Sequence, residues 1–371
     1  MDMSGNQRGM ALLLTLSVVT LLVAGGLELN RRTRVAVESA ASARDRLVLS
    51  EMATAGVHLA MAMLIKDKGD TVIDSIQEDW ARPEKVAEAV AGMPFDAGSL
   101  TVDIRDELGK IQVNALVNFP EGRDFNLPQK IMWDRFLPLV IDALRTRLEE
   151  TGGEPLPEET EPTAIVNSLK DWLDSGDDGA TTGLTGAESE YYMGLDPPYV
   201  PADGPVFHIG ELLRVKGIVP ELFHGLGGTG GLADFTTVHG MTRANRRVER
   251  RRFAFEGKIN INTADLPVLI ALMPSENHEY AASVLEYRNA TEDGEFIHDL
   301  SSPTWYKNAP DIPGDLVIDP NLITLSSDIF RIVSTAERDG VRRTIDAVVV
   351  REQAESGKWT CNVLNWQENR S

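Results

Sequence analysis

The 371-residue chain predicts an α+β protein: a long N-terminal helix that crosses a membrane, an antiparallel sheet, and a large all-helical domain inserted into that sheet. Three observations carry this reading. Residues 10–27 contain no charged side chain, residues 28–66 continue without proline, and a strand pattern near residue 100 is answered by β-branched strand patterns only after residue 320, across a helix-rich stretch. With 42% apolar residues the chain is long enough to bury two cores. A formal net charge of −21 disfavours general binding to nucleic acid or anionic lipid, because attraction to phosphate needs a basic surface. A single cysteine, Cys361, excludes an intrachain disulfide.

The apolar run comes first. At about 1.5 Å per residue it just spans a hydrocarbon layer of about 30 Å. Asn6, Gln7, Arg8 and Gly9 form a short polar leader directly in front of Met10. A conventional signal peptide is the alternative, with Val23, Ala24 and Gly25 as its cleavage site. Arg8 precedes the span and Arg31, Arg32 and Arg34 follow it, so flanking positive charge does not set orientation. Residues 28–66 are dominated by helix formers, and Leu49, Met52, Gly56, Leu59 and Met63 recur at steps of three and four, which predicts one packed face.

Alternation at residues 100–104 and again at 106–116 reads as strand. The string Gly257, Lys258, Ile259 repeats Gly109, Lys110, Ile111. Between them lie an amphipathic helix over 130–148, an acidic proline-bearing loop over 155–162, a helix over 163–173 and a helical stretch over 209–222 broken at Gly217. Residues 264–289 read as helix, and 322–334, 342–350 and 358–366 as strands. The predicted division is a leader at 1–9, a transmembrane half-helix at 10–27, an amphipathic half-helix at 28–66, a sheet domain from 67–108 and 320–371, and an inserted helical domain over 109–319.

A polar leader ending in Gly9 before an uncharged run that continues as helix resembles the type IV prepilin signal. Asp171, Trp172, Leu173 and Asp174, then Gly186, Ala187 and Glu188 with Tyr191 and Tyr192, then residues 258–264, occur in an order and spacing similar to the K family of type II secretion minor pseudopilins. The resemblance implies a pilin-type α+β domain carrying an inserted helical domain. It also implies cleavage by a prepilin peptidase after Gly9, methylation of Met10, and a single-pass bacterial inner-membrane protein with a periplasmic C-terminal domain. Its implied role is to cap the pseudopilus with minor pseudopilins I and J. Most pilins carry Glu at the fifth mature position; Leu14 stands there, a departure typical of the K family.

The carboxylates Asp171, Asp174, Asp177, Asp178 and Glu188, interleaved with Gly176, Gly179 and Gly183, are the candidate metal ligands. Calcium takes six to eight oxygens from such loops, and Asp171 and Asp174 share a helix face at i,i+3. From residue types alone a solvated acidic loop is the favoured account of the cluster; the resemblance implies Ca2+, a structural ion in this segment. Gly176 and Ser189 stand where the family often has acids.

Residues 258–290 also read as a helix-hairpin-helix-like module, which leaves a membrane-anchored DNA-binding protein as the alternative function. Its hairpin contains Glu276 and Glu279 and no glycine, so no nucleic-acid partner is expected. The basic run of Arg243, Arg246, Arg247, Arg250, Arg251 and Arg252 lacks interleaved aromatics and reads as an exposed linker or an arm towards acidic loops. Gly225, Gly227 and Gly230 match a dinucleotide fingerprint, but a helix end precedes them where that motif needs a strand. No catalytic constellation is present, and the chain is not expected to be an enzyme.

Overall fold

The computed structural model describes residues 5–95, 98–119, 122–175, 181–241 and 254–370. Helix α1 runs unbroken over Gly5–Asp70. From residue 10 to residue 47 nearly all of its side chains are exposed; Leu12 is 71% accessible and Leu21 75%. Only the last third is packed. There Leu49, Met52, Ala53, Val57, Ala60 and Leu64 are buried against one face of a four-stranded sheet. Each fully buried Leu or Val on such a face contributes about 1.5–3 kcal/mol.

The sheet is antiparallel throughout, in the order β1 (Ser99–Asp106), β2 (Ile329–Arg338), β3 (Val341–Gln353) and β4 (Trp359–Arg370). Phe330, Ile332, Ile345, Ala347 and Val349 face α1, and helix α2 (Pro83–Ala91) covers the β1 side through Val86. Predicted strands at 322–334, 342–350 and 358–366 therefore exist, with the first shifted several residues along the chain. Leu49, Met52 and Gly56 lie on the packed face of α1 as predicted, but the face turns away from the predicted line beyond them. Leu59 and Met63 only flank it, because the sheet is met by Ala53, Gly56 and Ala60. Small side chains let helix and sheet approach closely: a Cβ at Gly56 would overlap Ser334 Oγ.

Between β1 and β2 the chain builds a second core, from Ile111 to Ile323. Helix α3 (Leu127–Thr151) supplies Met132, Trp133, Phe136, Leu137, Val140, Ile141 and Leu144 to it, and helix α4 (Pro162–Leu173) supplies Ile165, Val166, Leu169, Trp172 and Leu173. This insertion is helix-rich but not all-helical, since three two-residue ladders lie within it. The reading of 106–116 as strand is corrected. Pairing in the main sheet ends at Asp106; Ile111–Gln112 pairs only with Thr236–Thr237, and Val113–Leu116 is a 3-10 turn. All four residues of that turn are buried, so no polar face remains for a half-exposed strand. The Asn114 side chain donates to Val206 O and Val238 O, both at 2.9 Å, which ties the turn down in place of a ladder. Residues 264–289 are likewise not one helix: Leu266–Leu272 and Ala281–Asn289 are separated by Pro274 and a 3-10 turn.

The insertion joins the rest of the molecule through buried polar groups. Asn260 donates to Asp106 Oδ2 at 2.7 Å and to Asp74 O at 2.9 Å, and Thr263 donates to Asp106 Oδ2 at 2.7 Å. Trp305 Nε1 donates to Asn262 Oδ1 at 2.7 Å. Burial pushes the Asp106 carboxyl up to about 6, opposed by these donors. Nearby, Arg331 bonds Glu107 at 2.7 Å and Asp346 at 2.8 Å. Burial opposes ionisation of Glu107, but Lys110 and Arg331 outweigh it and hold the carboxyl down to about 2.

Candidate metal centre

Helix α4 begins at Pro162, whose missing N–H costs nothing at a first helical position. Nearly all of its side chains are buried, so its C-terminal end is set rigidly in the insertion core. Asp171 lies in the last turn and Asp174 is the residue that ends it, with its N–H donating to Lys170 O at 2.8 Å. Glu188 comes from the returning chain, where its extended backbone opens the short helix α5 (Ser189–Met193) and its carbonyl accepts from Tyr191 N at 2.9 Å. Trp172 and Tyr192 meet edge to face, with centroids 5.1 Å apart, and lock helix and returning chain together.

Oxygens of Asp171, Asp174 and Glu188 all lie within 4.8 Å of one another, and all three residues are buried. Asp171 accepts from Thr182 N at 3.1 Å and from Ala187 N at 2.9 Å, which fixes its carboxylate. The chain passes so close that a Cβ at Gly186 would overlap Asp171 Oδ2, so only glycine fits there. Lys170 Nζ reaches Asp174 Oδ2 at 2.5 Å. Among the described residues, one ammonium thus stands against three carboxylates. Buried like charges at this spacing repel strongly in a medium of low dielectric, and an oxygen-only donor set with excess negative charge fits a hard divalent cation.

Three of the five predicted ligands, Asp171, Asp174 and Glu188, are therefore brought together. Asp177 and Asp178 lie outside the described residues, as does the run from Arg243 to Arg252. Lys170 was absent from the predicted set, although its i,i+4 spacing to Asp174 was legible. In the hairpin-like segment 258–290, Arg288 is buried and donates to Ile261 O at 3.1 Å and Ala264 O at 2.7 Å, which leaves it a packing role. Gly225, Gly227 and Gly230 occupy the turn between the short helices Pro220–His224 and Leu232–Phe235, with no strand ahead of them.

A second group of acids was missed altogether. Asp67, Asp74 and Glu78 also place oxygens within 4.8 Å of one another, at the foot of α1. Here Arg351, fully buried, bonds Asp67 at 3.1 Å and also bonds Asp74, while Lys68 bonds Asp74 at 2.7 Å.

Comparison with known proteins agrees with this architecture. Residues 109–227, which include α3, α4 and the carboxylate site, match the family described as Type II secretion system (T2SS), protein K. The chain is 26% identical over 219 residues to the type II secretion system protein K of Aeromonas hydrophila, covering 58% of this chain and 61% of that protein. It is 25% identical over 225 residues to the Klebsiella pneumoniae protein of the same name, covering 60% and 62%. The match thus spans less than two thirds of these relatives' length. In fold it is similar to a chain of the GspK–GspI–GspJ complex of the enterotoxigenic Escherichia coli type 2 secretion system, with a TM-score of 0.59 over 89% of this chain and 99% of that one, at 19% identity. Domain match, relatives and fold converge on one likeness: the chain is similar to the type II secretion system protein K family.

Proposed function

We propose that this chain is a minor pseudopilin that caps the pseudopilus tip together with minor pseudopilins I and J. The observation that carries the proposal is the division of α1. Its first two thirds offer an uninterrupted exposed helix for membrane and neighbouring helices, while its last third is packed into the body. The insertion sits just beyond the C-terminal end of α1, where Asp74 N donates to Leu325 O at 2.8 Å and Gln77 donates to His298 O at 2.9 Å. A domain of this size is tens of Å across, against about 10–12 Å for a helix with its side chains. Placed there, it obstructs a further subunit above and leaves contacts only below and beside. Leu14 fits the same role, because a subunit with nothing ahead of it gains nothing from a carboxylate at that depth.

Processing and anchoring follow from this role. A prepilin peptidase cleaves after Gly9, the new amine at Met10 is methylated, and residues 10–27 anchor the chain in the inner membrane with its body in the periplasm. Asp171, Asp174 and Glu188 hold a structural Ca2+, which supplies the positive charge that Lys170 alone does not. The test is cysteine crosslinking along the exposed part of α1, residues 35–48, in cells that assemble the complete system. Crosslinks to I and J, with no ladder of this chain to itself, are expected. A self-ladder would identify a repeating filament subunit and end the capping proposal.

A further inference from the structure

The foot of α1 holds an imbalance of a different kind. Asp67, Asp74 and Glu78 bring three negative charges together, and Lys68 and Arg351 bring two positive ones. Both cations are committed elsewhere than Glu78: Lys68 to Asp74, and Arg351 to Asp67, Asp74, Leu64 O and Ser327 O. Glu78 instead accepts from Ser75 N and, at 3.2 Å, from Trp80 Nε1. Its carboxyl thus lies against two other carboxyls whose counter-charges are already engaged. Lys66 and Asp70 from α1, Asp79 from its own loop, and Lys85 and Glu88 from α2 line the open side of the same cleft, and these also sum to an excess of acid.

We infer that this cluster binds one proton on Glu78 in the folded protein near neutral pH, and that this proton fastens the end of α1 to the body. The join matters because the elements meeting here are the helix that enters the filament, strand β3 through Arg351, and the segment that carries the insertion contacts through Asp74. A metal ion is not needed, since Lys68 and Arg351 already occupy the cationic positions among the acids. The inference is independent of the capping and calcium readings.

Burial, joined by Asp67 and Asp74, pushes Glu78 up to about 8, while Asp67 is pushed up to about 6. The sign follows. A carboxyl that is harder to ionise in the folded state than at its unfolded value of about 4.3 keeps a proton that the unfolded chain has released. The contribution of this cluster to stability is therefore greatest at low pH, falls as pH rises, and stops falling near pH 8. Above pH 6.5 the contribution of Asp67 has largely levelled, which isolates Glu78.

The experiment compares thermal unfolding of the full chain in detergent micelles with that of Glu78→Gln, from pH 6.5 to 9, with calcium held constant. Relative to the variant, the parent's unfolding constant should rise by up to about tenfold per pH unit below pH 8 and run parallel above it. Parallel curves throughout would overturn the inference. If Glu78→Gln does not fold, hydrogen exchange of the parent decides: after correction for intrinsic rates, protection over residues 64–82 should drop between pH 6.5 and 8 and then level, and unchanged protection would overturn it. Sensitivity of that protection to EDTA in an Asp174→Ala, Glu188→Ala background would also overturn it, because a cation would then stand where the proton is placed.

Discussion

Asp171, Asp174 and Glu188 in the insertion, and Asp67, Asp74 and Glu78 at the foot of α1, are each three acids with oxygens within 4.8 Å of one another. The first set comes from one stretch of eighteen residues and, among the described residues, meets one ammonium, Lys170. The second meets Lys68 and a guanidinium delivered from β3, 277 residues beyond Asp74. Excess charge of about two suits a divalent cation, whereas excess charge of about one suits a proton. The lesson is that an acidic cluster cannot be classified by its acids. The number of bases the fold delivers to it decides what else it must bind.

The largest expected effect lies at the second cluster. Arg351→Met leaves Asp67 and Asp74 facing each other without their guanidinium, and breaking a buried pair on one side costs about 3–5 kcal/mol. The corresponding change at the first cluster, Lys170→Met, should cost far less in the presence of calcium. Chemical denaturation of both variants checks this, and equal losses would erase the distinction between the clusters.

Calcium itself comes next. At a hundredfold excess over its dissociation constant it should stabilise the folded chain by about 2.7 kcal/mol. Asp174→Ala with Glu188→Ala should abolish that gain, and Arg351→Met should retain it. A parent protein whose melting is indifferent to calcium and EDTA would reduce the first cluster to an acidic face.

Gly186→Ala is a smaller perturbation of the same contrast. Its Cβ must displace Asp171 or the chain at Thr182, so a loss of about 1–3 kcal/mol is expected, together with weaker calcium stabilisation. If stability falls while the calcium response is untouched, Asp171 is a packing residue and the ligand set shrinks to two. An effect of similar size is expected from Lys170→Met without calcium. Loss of a hydrogen-bonded charge pair costs about 1.5–3 kcal/mol in general, but the methionine also enlarges the net negative charge, so the calcium-dependent gain should grow.

The sequence by itself determined what depends on neighbours along the chain. The uncharged run and its helical continuation, the strands after residue 320, the helix ending at Asp171 and Asp174, and the return of Glu188 are readable because helix and strand periods are local. Lys170 is readable too, at i,i+4 from Asp174. Only the tertiary structure decided the rest. Which face of α1 is buried depended on how closely the sheet approaches Ala53, Gly56 and Ala60, rather than on which residues are largest. Residues 111–116 alternate like a strand, yet fold as a turn because the insertion buries both of their faces. The pairing of Asp74 with Arg351 has no local signature, since two charges far apart in sequence meet only when the sheet closes over the end of α1. Local pattern sets the elements; the charge balance of a buried site is a property of their assembly.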